Sequence, residues 1–345
     1  MKKLAAGAII SIAILVPGFS SYSQTLPISY IEVFGNRQVS ADLVVQKAGI
    51  HEGDTIAMFD FGKEHVISSI KSLSAVKGAT VEPICCEDRS GGLLIFIGIS
   101  ESDKVSFKYH KNPVGSVILP KEMTQTYHEF NDAVQKAVLS GNATEDYSNG
   151  YSLLNDSASR TLQKKFIGYA NNKLALLQKV IRESSDPYQR ETAAWIIAYN
   201  DYKKKFIPDL LYAVSDSSED VRNNATRSLG ILAGYAQMHS ELKIEIPVTP
   251  FIEMIHSSVW TDRNKGSFVL EGLTQSRKKE LLISLKKNSL PELIEMAKWR
   301  SKGHAYAAFF ILARIAGIKE AEINKLFEDQ INSVDMLVQK INRAI

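Results

Sequence analysis

Cysteine is almost missing from this chain of 345 residues: two occur, Cys85 and Cys86, side by side. So few exclude a disulfide-stapled mini-fold. Adjacent Cα atoms are about 3.8 Å apart, below the usual disulfide range of about 4.4–6.8 Å. The pair therefore reads as two thiols on a hairpin arm, with a strained vicinal bridge as the alternative. Charge of one sign is missing too. Lys and Arg total 41 against 38 Asp and Glu, a net +3. Removing residues 1–23 takes away two lysines and no acid, so +3 becomes +1. That balance argues against a nucleic-acid partner, which needs a clear basic excess. Lys203-Lys204-Lys205 is a lone basic cluster and reads as a solvated helix end.

Signatures of catalysis are missing as well. The seven histidines include no H-E-x-x-H, and there is no C-x-x-C, G-x-S-x-G, P-loop or dinucleotide fingerprint. No catalytic residue, cofactor or metal ligand set is expected, so the chain reads as a non-enzyme. One long apolar run exists, Leu4 to Val16, behind Lys2-Lys3 and ahead of Pro17-Gly18. Its 13 residues fall short of the roughly 20 that span a bilayer. Ser21 and Ser23 supply the small residues read by a signal peptidase, so cleavage before Gln24 is expected. The mature chain should act in the periplasm or cell envelope of a bacterium.

After the signal, "ISYIEVFGNRQVS" alternates as a strand through Ile28, Ile31 and Val33, turns at Gly35-Asn36, and offers Ser40 as a helix N-cap. Leu43, Val44 and Ala48 share a helical face that stops at Gly49, and Gly53-Asp54 makes a second turn. Asp60 can cap the next helix, which carries Val66, Ile67, Ile70 and Leu73. Thr80-Val81-Glu82 and Leu93 to Glu101 read as strands joined through Ser90-Gly91-Gly92. This order, with Gly35-Asn36, Ser40, Gly53-Asp54 and Glu101 as landmarks, resembles a POTRA domain over residues 26–102. The resemblance implies an α+β domain (βααββ) that binds other polypeptides and does no chemistry. It also implies a docking edge at the second strand, Thr80, Val81 and Glu82.

Residues 103–169 form a connector. Prolines 113 and 120 limit helix at first, then Met123, Tyr127, Phe130, Val134 and Val138 mark an amphipathic helix ended by Gly141. The polar stretch 140–160 holds Glu145, Asp146 and Asp156 without EF-hand spacing. It reads as a loop capping a helix stack, with a cation-dependent or small-ligand-binding protein, or an enzyme, using this segment as the alternative.

Repetition governs the rest. Pro208, Pro250 and Pro291 lie 42 and 41 residues apart, and each is followed by a small residue: Ala225, Gly266 and Ala308. An earlier copy carries Ala193 in that position. The prolines suit first helical turns, Asp186 and Asp216 suit caps, and Arg190 and Arg222 suit bridges to turn acids of neighbouring units. Asp220-Val221-Arg222 and the period resemble HEAT repeats across about residues 170–320, with the chain from Glu320 as a cap. An all-α solenoid over 170–345 is expected, stacking its apolar faces and leaving a long curved face free. The Trp residues 195, 260 and 299 read as packing between units. Together these features describe an exported protein–protein interaction scaffold of the cell envelope, with envelope protein assembly or transport as the role to expect.

Overall fold

The computed structural model describes residues 25–57, 61–87, 91–102 and 107–343. The signal segment with its cleavage point at Gln24, the proposed cap Asp60 and turn residue Ser90 lie outside these residues. An α+β domain comes first. Its elements are β1 (Thr25–Phe34), α1 (Ala41–Ala48), β2 (Thr55–Ala57), α2 (Lys63–Lys71), β3 (Gly78–Glu87) and β4 (Gly92–Ser100). The sheet order is β2-β1-β4-β3, with β1 parallel to β4 and the other pairs antiparallel. β2 is a three-residue strand that the turn signal at Gly53-Asp54 hides.

Local chemistry sets these boundaries. Ser40 accepts the Leu43 N–H at 3.3 Å, and Gly49 closes α1 at φ 67°. Gly62, at φ 74°, is the N-cap of α2 and offers no side chain for capping. Gly35 is required twice over: its φ is 81°, and a Cβ there would lie 2.2 Å from the Ile99 carbonyl oxygen. Glu101 then receives the N–H groups of Arg37, Gln38 and Val39 at 3.1, 2.8 and 2.9 Å. Burial opposes its charge, but these bonds win and hold its carboxyl below the usual range. The short strand-turn-helix unit is thus tied to the end of β4.

The connector begins as an extended strap, residues 107–120, and continues into α3 (Lys121–Leu139), which buries Met123, Tyr127, Phe130 and Val134. Val138 instead stays 43% exposed. A two-strand hairpin, β5 (Glu145–Asp146) with β6 (Leu153–Leu154), leads into α4 (Ser157–Asn172), where Asp156 is the N-cap.

Four helix pairs follow: α5 (Leu174–Glu183) with α6 (Pro187–Ile197), and α7 (Lys203–Ala213) with α8 (Glu219–Met238). Next come α9 (Thr249–Ile255) with α10 (Trp260–Thr274), and α11 (Lys279–Ala297) with α12 (Lys302–Ile315). The helices α13 (Glu320–Glu328) and α14 (Gln330–Arg343) close the stack. Ala193, Ala225 and Ala308 are fully buried where second helices meet, and a Cβ on Gly266 would come within 2.9 Å of Met254. Pro250 sits in the first turn of α9, as its spacing predicts, but Pro208 and Pro291 lie inside α7 and α11. Those helices start earlier than the proline, and beside Pro208 a tertiary contact takes up a backbone group. Gln178 of α5 donates to the Lys205 carbonyl at 3.0 Å. Lys203 departs from the solvated reading: it is 8% exposed, donates to the Asn200 carbonyl and lies over Tyr151.

The second helices do not leave an open curved face. The helix α3 and the β5–β6 hairpin pack over α6 and α8, and the sheet covers the starts of α10 and α12. An exposed apolar face would cost about 25 cal/mol per Å², so the chain covers it with its own earlier segments.

Candidate functional site

Thr80, Val81 and Glu82 lie in β3, an edge strand of the four-stranded sheet. Side chains alternate between layers along a strand. Val81 enters the small core under α1 and α2, and the Thr80 hydroxyl donates to the Ser258 carbonyl at 2.6 Å on the repeat side. Glu82 therefore faces the repeats, where its charge helps raise the Glu219 carboxyl, whose main cause is burial. Lys63 opens α2 on the opposite layer, yet its ammonium reaches the Glu82 carboxylate at 2.6 Å. The ion pair straddles the sheet rim. Pro83 removes one N–H from the same strand, a second device found on natural edges. Beyond it, Cys85 is disulfide-bonded, and no described cysteine is free, which replaces the reading of two thiols.

The second face of the sheet is an interface with the repeats. Phe96 meets Trp260, Trp299 and His304 with ring centroids 5.2, 5.0 and 5.4 Å away. Trp260 and Trp299 thus serve the joint with the sheet, beyond packing between units, while Trp195 packs on Phe130. Gly98 admits the Ser258 carbonyl so closely that a Cβ would sit 1.8 Å from it. Around these rings, Arg300 binds Glu32 at 3.1 Å and also Glu52, and Arg37 binds Glu292 and Glu295.

The strap crosses the turns inside successive pairs. Gly115 bridges to Ser184, the His110 N–H donates to Ser215, and Tyr109 donates to Asp262 at 2.8 Å. Beneath it runs a ladder of buried ion pairs. Arg190 binds Asp216 through two nitrogens at 2.8 Å, Arg222 binds Asp262 at 2.8 Å, and Arg263 binds Glu295 at 2.6 Å. The first two are the bridges to neighbouring units that the repeat spacing predicts for Arg190 and Arg222. Asp186 caps α6, whereas Asp216 accepts from Ser218 N–H just ahead of α8 and serves Arg190 as counter-ion.

The acids of 140–160 do not converge. Glu145 pairs with Arg227, Asp146 accepts from Ser148 N–H, and Asp156 caps α4. Among the described residues no group of three His, Cys, Asp or Glu could hold a metal ion. The hairpin nevertheless helps wall a cavity of about 40 Å³, between α3, α6, α8 and α10. Its charged lining is Glu145, Glu191, Asp220, Arg227 and Lys265. Glu191 accepts from the Tyr127 hydroxyl at 2.7 Å. Burial, reinforced by Asp220, pushes its carboxyl up to about 7, and burial with Glu219 pushes Asp220 up to about 6. Burial, reinforced by Arg227, draws the Lys265 ammonium down to about 8. Sequence reading misses this group because Glu191, Arg227 and Lys265 come from three helices. The one signal in the sequence is charge inside helices whose neighbours leave no solvent stripe.

The comparisons with known families follow this division. The POTRA domain, FtsQ-type, matches residues 26–84, and HEAT repeats match residues 174–243. No curated protein matches the chain. Beyond residue 243 the helix pairs continue in the same stacking to the terminal cap. Both families are typically non-enzymatic interaction modules, and among the described residues no helix is long and apolar enough to cross a membrane. The chain carries an FtsQ-type POTRA domain joined to an all-helical array of HEAT repeats.

Proposed function

We propose that this protein is an exported, non-enzymatic scaffold that joins a protein partner to the bacterial cell envelope, in the periplasm or at the outer membrane. In this reading residues 1–23 are a signal peptide cleaved before Gln24. Residues 26–102 dock the partner, 103–169 connect, and 170–345 form the scaffold with its cap. One observation carries the proposal: β3 pairs with β4 on one side, and among the described residues no strand pairs with its other side. Both faces of the sheet are occupied, so this rim of Thr80, Val81 and Glu82 is where unpaired backbone remains to receive an extended segment. The FtsQ-type match supports an envelope setting, and the disulfide at Cys85 suits an oxidising compartment.

The test is photo-crosslinking in the native host with a reactive residue in place of Lys63 at the rim, and in place of Lys325 on the cap as control. Capture of a defined envelope protein from position 63 and not from 325 is the expected result. Capture from 325 alone assigns the affinity to the helices and removes the edge from the proposal. Mass measurement of the fractionated protein checks the start at Gln24.

A further inference from the structure

Lys265 is 3% exposed, and among the described residues its ammonium makes no hydrogen bond and no ion pair. The other buried cations of the second helices are paired: Arg190, Arg222, Arg263 and Arg314 each hold a carboxylate. An unpaired buried charge destabilises the fold and returns nothing to it. Arg227, next to it in the cavity wall, spends a terminal nitrogen on Glu145 and keeps its buried Nε unbonded. This part of the cavity is short of an acceptor. Elsewhere in the wall the need is reversed. Asp220 makes no hydrogen bond, the buried Oδ1 of Asn223 has no donor, and Glu191 uses one oxygen on Tyr127.

We propose that this cavity binds a small zwitterion of the amino-acid type, its carboxylate held by Lys265 and Arg227 and its ammonium by Glu191 and Asp220. The two unmet needs point to one molecule carrying both charges, since a simple anion would meet the acids and a simple cation would meet the lysine. The size agrees. About 40 Å³ holds three or four waters, or one solute with a handful of heavy atoms. Glycine fits this limit, and a larger amino acid fits only with its side chain directed out of the mouth. The site is separate from the sheet rim and does not depend on the partner reading.

Thermal unfolding and calorimetry of the mature chain test it, with glycine, β-alanine, acetate and methylammonium as probes. At about a hundredfold excess over Kd, glycine is expected to raise the midpoint by about 5 °C, with acetate and methylammonium giving no comparable shift. Lys265→Met should leave the ligand-free midpoint unchanged or higher, because a buried unpaired charge is removed, and should weaken glycine at least tenfold. Asp220→Asn, at a partly buried position in the cavity wall, supplies a second variant that keeps the fold and also weakens binding. A flat response to glycine and β-alanine means a water-filled cavity and overturns the proposal. An equal response to acetate, or full binding by Lys265→Met, overturns it too.

Discussion

The sheet of the POTRA domain has two faces built from different chemistry. Along β4, Leu93, Ile95, Ile97 and Ile99 turn toward α1 and α2, where they join Ile28, Ile31 and Val81 in an all-aliphatic core. The alternate residues Leu94 and Phe96 turn toward the repeats, where Phe34, Trp260 and Trp299 wait and Arg263 lies over the Phe34 ring at 4.6 Å. The aliphatic face has no direction to enforce beyond burial. The aromatic face, rimmed by Arg37 and Arg300 pairs, has the make-up of a protein–protein interface, in which rings anchor and charges set orientation. One face makes the domain, and the other makes it part of a larger body.

Cutting the anchor should break this comparison most. Phe96→Ala is expected to cost about 3–5 kcal/mol, because it leaves a cavity between Trp260 and Trp299. The emission of both tryptophans should shift to the red as water enters. Ile97→Val, one residue along on the aliphatic face, should cost about 0.5–1.5 kcal/mol with no change in tryptophan emission. Equal losses and equal spectra would erase the distinction between the faces.

Filling the joint is the next largest test. Gly98→Ala places a methyl 1.8 Å from the Ser258 carbonyl oxygen and 2.5 Å from the Phe34 ring. The backbone of the repeat must move, at a cost of about 1–3 kcal/mol. Limited proteolysis in the strap, residues 107–120, should quicken because the sheet and the α9–α10 turn share that contact with it. An unchanged cutting rate would mean that the sheet and the repeats yield independently.

These faces were unequally legible. The POTRA-like order and the period of about 41 residues were readable because each rests on local signals: Gly35-Asn36, the Ser40 cap, and small residues spaced along second helices. The Arg190–Asp216 bridge was also readable, since repeats place like residues at like positions. The burial of the curved face was not. Nothing in the spacing of Tyr127 or Phe130 says which helices α3 will cover, because a helical stripe names a face and never its partner. Pro208 and Pro291 lie inside their helices for the reverse reason: a proline's local preference for the first turn gave way to tertiary packing, helped at Pro208 by the bond from Gln178 to the Lys205 carbonyl. The cavity was least legible, as its charges meet only once three pairs have stacked.

That cavity extends the comparison from rings to charges, because the joint holds its ions in pairs while the cavity leaves acids unpaired. Glu191, with a carboxyl at about 7 in the fold against an ordinary 4.5, keeps a proton that the unfolded chain releases. The native state binds more protons across that window, so stability falls as pH rises. The contribution is complete below about 4.5 and lost as pH passes 7. Asp220, pushed up to about 6, acts with the same sign, and Lys265 and Arg227 face the same space. Buried His304, drawn down to about 3, acts with the opposite sign below about 6.5, so the test is the difference between variant and parent. Glu191→Gln should gain roughly 1–3 kcal/mol on the wild type between pH 4.5 and 7.5, read from urea midpoints, and a variant curve parallel to the wild type would refute the assignment.

The smallest expected effect on stability falls at the rim, where the two faces meet. Lys63 is 40% exposed in its pair with Glu82, so the pair contributes about 0–1 kcal/mol and is weakened by salt. Its position matters more than its strength. An extended segment adding to β3 must pass between the layers that this pair ties together, so Lys63 has to move aside before backbone bonds can form. Lys63→Ala should thus leave the unfolding midpoint nearly unchanged and unguard the edge. The expected readout is a several-fold rise in self-association by sedimentation, with high salt doing the same to the wild type. A variant that stays as monodisperse as its parent at every salt concentration would show that the rim is closed by something other than this pair, and the edge would lose its standing as the place where a partner strand is added.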